Sequence, residues 1–412
     1  MRSFRYTLLS ASLAMAVTPS LQAEEVKSAN SLKEMVSEGT ASLDFRYRYE
    51  YVDQANFSKN AKANTLRSRL KLVSAPMNGV SFLVEFSDVT DFGNDFNSTN
   101  NGQTDFPVVA DPEGTEINQA FIKYATEGFD GIAGRQAINL GNQRFIGTVG
   151  WRQNEQTYDG GRIVWTGDTS LKVDLSYIGK VNRIFGPDDG PVQPAELKGD
   201  NLFARVDWGI LENQTLTGFA YLLDIDDVDK YPAGRSVDNS TDTYGIAYMG
   251  KFGPLGARAS YATQSDAGDS NLNYDADYYV VEGTMNIADV VKATVGYEVL
   301  GADNGVGFKT PYATLHKFQG WADKFLVTPP DGIEDAYIGL AGKLGPVALA
   351  AIYHDFQAED SSADFGTEID LSATWPVHEM VSLQLKYADF DSDDSDRFDD
   401  TEKFWVTVHV KI

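Results

Sequence analysis

From Ala41 onward the chain alternates between apolar and charged side chains. Leu43, Phe45, Tyr47, Tyr49 and Tyr51 share one parity, and Asp44, Arg46, Arg48 and Glu50 share the other. A pleated strand sends successive side chains to opposite faces, so this stretch has an apolar-aromatic face and a charged face. The same rule sets Leu66, Leu70 and Leu72 against Arg67, Arg69 and Lys71. It recurs at Val80–Phe86, Leu171–Tyr177, Leu202–Trp208, Val291–Val299 and Val381–Tyr387, and the chain closes on Phe404, Val406, Val408, Val410 and Ile412.

Strand starts fall near residues 41, 62, 79, 115, 129, 156, 169, 200, 213, 240, 254, 274, 289, 333, 345, 364, 378 and 402. Most of these strands run about ten residues, the length that crosses a bilayer at a tilt. Short Gly-, Pro- or Asn-bearing turns (75–79, 166–168, 253–254, 344–345, 375–376) alternate with longer loops at 89–114, 182–199, 224–239, 262–273, 301–332 and 389–401. Alternation alone also fits a soluble antiparallel sandwich. Aromatic residues at strand ends and an apolar terminal strand favour lipid as the outer partner. The predicted fold is all-β: a single antiparallel transmembrane β-barrel of about eighteen strands over residues 41–412, with inward-folded loops.

The N-terminus supports an envelope location. Arg2 and Arg5, an apolar run Tyr6–Val17 and a small-residue end at Ala23 read as a secretory signal peptide over residues 1–23. Residues 24–40 then form a short polar segment expected on the periplasmic side, and the expected localisation is the bacterial outer membrane. Without cysteine there can be no disulfide and no thiolate metal site. With Lys+Arg 34 against Asp+Glu 60, the net charge of −26 argues against a nucleic-acid partner. The four histidines (His316, His354, His378, His409) lie in no Gly-x-Ser-x-Gly or His-Glu-x-x-His context, so neither an enzyme nor a cofactor or metal is expected. The expected partners are outer-membrane lipid and lipopolysaccharide, with an anionic saccharide or small anion as cargo.

If the apolar face meets lipid, the charged face points inward. About eighteen strands leave a water-filled lumen rather than a side-chain core. Eight of the thirteen arginines beyond residue 23 lie before residue 163: Arg46, Arg48, Arg67, Arg69, Arg135, Arg144, Arg152 and Arg162. The first four sit on the charged faces of neighbouring strands, which places them side by side on one wall. The segment from Gly134 to Gly161 is polar, cationic and bent by glycine, and reads as lying in a wet interior. Loop 301–332 is long and aromatic, with Tyr312, Lys317, Phe318, Trp321 and Lys324, and is expected to fold inward and narrow the pore. Two readings of the arginines stand together: a cationic lumen for an anionic solute, or a wall braced by pairing with Asp44, Glu50, Glu85 and Glu116. The loop aromatics likewise either stack on sugar rings, with Lys317 and Lys324 near acidic groups, or anchor the loop. The acidic runs 224–229 and 391–396 read as solvated outer loops.

Gly134–Gly161, the stretch from Leu315 to Leu340 with its His-Lys-Phe-Gln-Gly-Trp-Ala-Asp-Lys-Phe core, and the strand around Phe45–Glu50 resemble the alginate-export-type outer-membrane porin family. The resemblance spans most of the chain beyond the signal peptide. It implies an eighteen-stranded barrel with an arginine-lined constriction that conducts an anionic uronate polymer. It also implies Arg46, Arg48, Arg67, Arg69, Arg135, Arg144 and Arg152 as candidate pore cations. A general diffusion porin of little selectivity and an outer-membrane adhesin or structural barrel are the alternatives.

Overall fold

A computed structural model describes residues 28–412, apart from 94, 168–169, 192, 229–234 and 289. The expected signal peptide lies outside the described residues. A six-residue helix, α1 (Leu32–Ser37), comes first, with the Ser31 hydroxyl accepting from the Glu34 amide. It buries Met35 against Ala29 and Ala75, the latter in the turn between the second and third strands, so it sits at the short-turn end of the barrel.

Eighteen strands follow. They are β1 (Thr40–Gln54), β2 (Ala61–Val73), β3 (Val80–Asp91), β4 (Gly114–Thr126), β5 (Phe129–Gln136) and β6 (Thr157–Thr166). Next come β7 (Leu171–Asn182), β8 (Glu196–Leu211), β9 (Gln214–Leu223), β10 (Thr241–Phe252), β11 (Leu255–Asp266) and β12 (Asp275–Ile287). The last six are β13 (Val291–Leu300), β14 (Ile333–Leu344), β15 (Val347–Gln357), β16 (Asp364–His378), β17 (Val381–Ser392) and β18 (Thr401–Lys411). Every strand pairs antiparallel with its sequence neighbours, and β18 closes on β1 with Phe45 opposite Val410 and Arg46 opposite His409. Closure removes the free edges that an open sheet would expose.

All eighteen expected starts correspond to observed strands. The largest differences are at β8, which begins at Glu196 rather than near 200, and β17, which begins at Val381 rather than near 378. At β8 a register shift between Ile178 and Lys180 lets the ladder run on through residues that read as loop.

The outer face carries the apolar parity. Ile338, Leu340, Ile369, Leu371, Val281 and Val295 are all exposed there, a band too large and continuous to face water. Toward the long-loop end the band finishes on tyrosines whose hydroxyls donate to carboxylates: Tyr261 to Asp277 at 2.8 Å, Tyr387 to Asp389 at 3.2 Å, Tyr51 to Asp53 at 3.4 Å, and Tyr177 to Asp200. An aromatic body in the apolar layer with a polar tip at its rim is the arrangement of a membrane-interface girdle.

The inner face grades along its length. On β18, the side chains of Lys411 and His409 near the short-turn end are 48% and 24% exposed, whereas Trp405 farther along is 0% exposed. Arg48, Glu50 and Val52 follow the same course on β1. The long-loop half of the lumen is therefore packed, and the short-turn half is the open part.

Candidate functional site

Three loops pack the lumen. The segment 137–156, between β5 and β6, and the segment 301–332, between β13 and β14, hold each other. The Gly147 amide donates to the Tyr312 carbonyl (2.8 Å), the Thr314 amide to the Gln143 carbonyl (3.0 Å), and the Val149 amide to the Thr314 hydroxyl (3.1 Å). The Gln156 side-chain amide donates to the carbonyls of Gly147 (2.9 Å) and Tyr312 (3.1 Å). The third loop, between β3 and β4, joins through Asp111, which accepts from the Gln153 amide (2.7 Å), and Pro112, whose carbonyl accepts from Asn154 (2.8 Å).

The register of β1 and β2 sets their four arginines side by side. Arg46 lies directly opposite Arg67, with Asp44 opposite Arg69 and Arg48 opposite Thr65. Four guanidinium groups repel one another unless something answers them, and what answers is largely the loop 137–156. Arg46 donates to Gln153 (3.0 Å), to the Gly150 carbonyl (2.9 Å) and to the Arg152 carbonyl. Arg48 donates to the Trp151 carbonyl (2.6 Å) and lies over the Trp151 ring at 4.2 Å. Two arginines thus hold three successive carbonyls. Arg67 pairs with Asp44 (2.5 Å) and Arg69 with Glu155 (2.8 Å).

Arg152 is the hinge of the network. It reaches Glu50 on β1 (3.1 Å) and Asp323 in loop 301–332 (3.1 Å), with Asp111 at 3.9 Å. Burial works against its charge, but these three carboxylates hold its pKa above the ordinary value. Arg144 lies 3.5 Å from Glu298 and over the Phe318 ring at 4.7 Å. Arg162 pairs with Asp174 at 2.6 Å. Lys317 donates to the Asn142 carbonyl (3.1 Å), and Lys324 to the Thr401 hydroxyl (2.9 Å) with its pKa pulled down to about 8, first by burial.

Trp321 forms part of a cage. The Lys386 ammonium lies 3.7 Å from the Trp321 ring, 3.9 Å from Trp151 and 5.2 Å from Trp405, and 2.8 Å from His316 Nε2. Lysine only donates, so Nε2 accepts, and His316 Nδ1 carries the proton it gives to Asp323 (2.7 Å). Asp323 also takes Lys403 at 2.9 Å. Among these cations several N–H groups are nevertheless buried with no hydrogen-bond partner among the described residues: Arg67 Nε, Arg69 Nη2 and Arg144 Nη1.

Two expectations need correction. Arg135 does not line the lumen. Its cross-strand neighbours are Ala120 and Asp159, and that face continues through Ile122 and Ile163, so it projects outward, paired with Asp159 at 2.8 Å. The segment from Gly134 to Gly161 is inside the barrel over its loop residues, but not as a wet strand of chain. Arg144, Arg152, Gln153 and Asn154 are all buried: Arg144 lies beside Glu298, Arg152 between Glu50 and Asp323, Gln153 bonds Asp111, Arg46 and Thr65, and Asn154 donates to the Pro112 carbonyl. Tyr312 and Trp321 are buried against protein, the anchoring arrangement.

The alternation did not reveal an aromatic core inside the barrel. Phe145 packs on Phe219 (5.1 Å), Tyr278 (5.3 Å) and Tyr221 (5.7 Å), and Phe325 on Phe356 (4.7 Å) and Phe398 (4.9 Å). The signal was present where both parities turn apolar at the long-loop strand ends, as in Tyr278-Tyr279-Val280-Val281 and Phe404-Trp405.

A profile of the family described as "Alginate export" matches residues 38–314. No curated protein sequence matches the chain. Among solved structures it is similar to Pseudomonas aeruginosa OccK8 (OprE), at 14% identity and a TM-score of 0.67, covering 92% of this chain and 99% of that one. It is similar as well to the outer membrane protein OpdK of the same organism (13% identity, TM-score 0.68, 90% and 98% covered) and to Acinetobacter baumannii OccAB4 (10%, 0.66, 90% and 98%). At such identities the likeness is one of fold.

Proposed function

The chain belongs to the alginate export family of bacterial outer-membrane barrels, and on that premise we propose that it is a porin for anionic solutes, with acidic saccharides such as uronates as the favoured class. The observation that carries this reading is the arginine wall, with Arg46 facing Arg67 and with buried guanidinium N–H groups left unpaired on Arg67, Arg69 and Arg144. Such groups take a carboxylate in a planar, bidentate fashion, and a lumen of this kind enriches anions without trapping them.

The mechanism needs no chemical step. An anion collects among the cations of the open half, where Lys71, Arg162 and Lys411 face the lumen, and exchanges partners along the wall. Passage through the packed half requires loops 137–156 and 301–332 to part, and the Arg152 and His316 contacts set the cost of parting. Residues 28–40, with α1 at the short-turn end, lie on the periplasmic side in this orientation.

A general diffusion porin is the second reading. It is favoured by the carboxylate partners of Arg67, Arg69, Arg152 and Arg162, which mute the field each cation presents. Solute entry into proteoliposomes separates the two. Galacturonate oligomers entering faster than neutral oligosaccharides of equal length support the anionic reading. Equal rates support the general porin.

A further inference from the structure

On the outer wall between β4 and β8 the apolar layer is interrupted. Gly131, Ala133 and Gly161 leave a trough of about 710 Å³, walled by Ile122, Tyr177 and Leu202. It is not a defect of packing inside the barrel, because these residues alternate with inward ones and belong to the lipid face. One ladder step toward the long-loop end stands a row of charges: Arg135 bonded to Asp159 (2.8 Å), Lys180 to Asp159 (3.2 Å) and Glu196 (3.0 Å), and Lys198 to Glu196 (3.3 Å).

Two features set this row apart. Elsewhere the same rim of the outer face presents carboxylates, such as Asp53, Asp242, Asp277, Glu334, Asp389 and Glu402. Here Arg135, Lys180 and Lys198 stand together on Asp159 and Glu196, while the neighbouring Asp200 accepts from the Tyr177 hydroxyl. The apolar layer beneath is also thin. Outward residues on β5 run Phe129, Gly131, Ala133 and then Arg135, whereas on β14 they run Leu344, Gly342, Leu340, Ile338, Ala336 and only then Glu334. A thin, dented layer below a cationic rim fits a lipid whose headgroup is anionic and whose chains fill the dent.

We propose that this wall binds a phosphorylated, multiply acylated glycolipid of the outer leaflet, with a chain in the trough and a phosphate on Arg135, Lys180 and Lys198. The ammonium and guanidinium donors suit phosphate oxygens, and Lys198, the most exposed of the three at 64%, meets the headgroup first.

The test uses the full chain, purified in detergent, delipidated and titrated with diphosphorylated lipid A or with phosphatidylglycerol, bound lipid being read by native mass spectrometry. Two variants separate the halves of the site: Lys180→Gln with Lys198→Gln, and Gly161→Leu. A Cβ at Gly161 meets nothing nearer than the Ile132 carbonyl at 4.0 Å, so the backbone there accepts a side chain directed into the trough. Heat-modifiable migration on gels checks that each barrel is folded. Lipid A is expected to bind at least about tenfold more tightly than phosphatidylglycerol and to lose about tenfold in each variant. Equal binding of the two lipids overturns the proposal, as does retention indifferent to either variant.

Discussion

Arg152 is a charge that ties the barrel wall to a loop inside the lumen. Its guanidinium joins a wall carboxylate, Glu50, to a loop carboxylate, Asp323, out of reach of bulk water. Removing one partner of a buried ion pair strands the others at a cost of about 3–5 kcal/mol. Arg152→Ala is therefore expected to release loop 301–332, seen as higher single-channel conductance and as new protease cleavage within that loop, with the barrel itself still folded. Gly320 makes a second point of control. Its backbone is left-handed (φ 78), and a methyl group there would collide with the Glu368 carboxylate. Gly320→Ala should loosen the loop by about 1–3 kcal/mol and raise conductance in the same direction, a smaller effect than Arg152→Ala. At this scale the sequence was only partly legible. Arg46 and Arg67 could be placed by parity alone. Arg135 could not, because its strand is eight residues long and its outward partner Asp159 belongs to a strand more than twenty residues later.

The strands and the loops differ in how they are written. A strand in lipid must satisfy a period of two over about ten residues, so its position shows in the sequence to within a few residues. A loop that folds back into a lumen obeys no period. Its contacts are single hydrogen bonds between distant residues, such as Gly147 to Tyr312, and composition tells only that it is polar or aromatic. Loop 301–332 also carries a titratable latch. His316 is neutral by its bonding pattern, and burial, followed by the nearby Lys386 charge, holds its pKa well below the ordinary imidazole value. The docked loop therefore binds fewer protons than the released loop once the pH falls below about 6.5. Docking is strongest above that value and weakens by about 1.4 kcal/mol for each further pH unit down, until the docked imidazole itself titrates. Conductance should rise as the pH is lowered from 7.5 to 5.5. In His316→Asn that step should vanish; a step of unchanged size in the variant would assign the titration to another group.

For the whole molecule the decisive fact is where the charge lies. A net charge of −26 suggests a cation-loving pore, yet many of the carboxylates stand on the outer rim and in the outer loops. Inside, arginines cluster on β1 and β2, whereas Glu282, Glu298, Asp335, Glu368 and Asp370 lie buried on β12 to β16, so the inward charge is unevenly spread around the wall. Composition reports the sum and misses this uneven spread, which only closure of the barrel reveals. Whether the cationic side sets selectivity is tested directly by a reversal potential across a planar bilayer under a salt gradient. The full barrel is expected to prefer chloride over potassium, and Arg67→Gln with Arg69→Gln should reduce that preference without lowering conductance. A preference for potassium in the unmodified protein, in line with its net charge, would contradict the account.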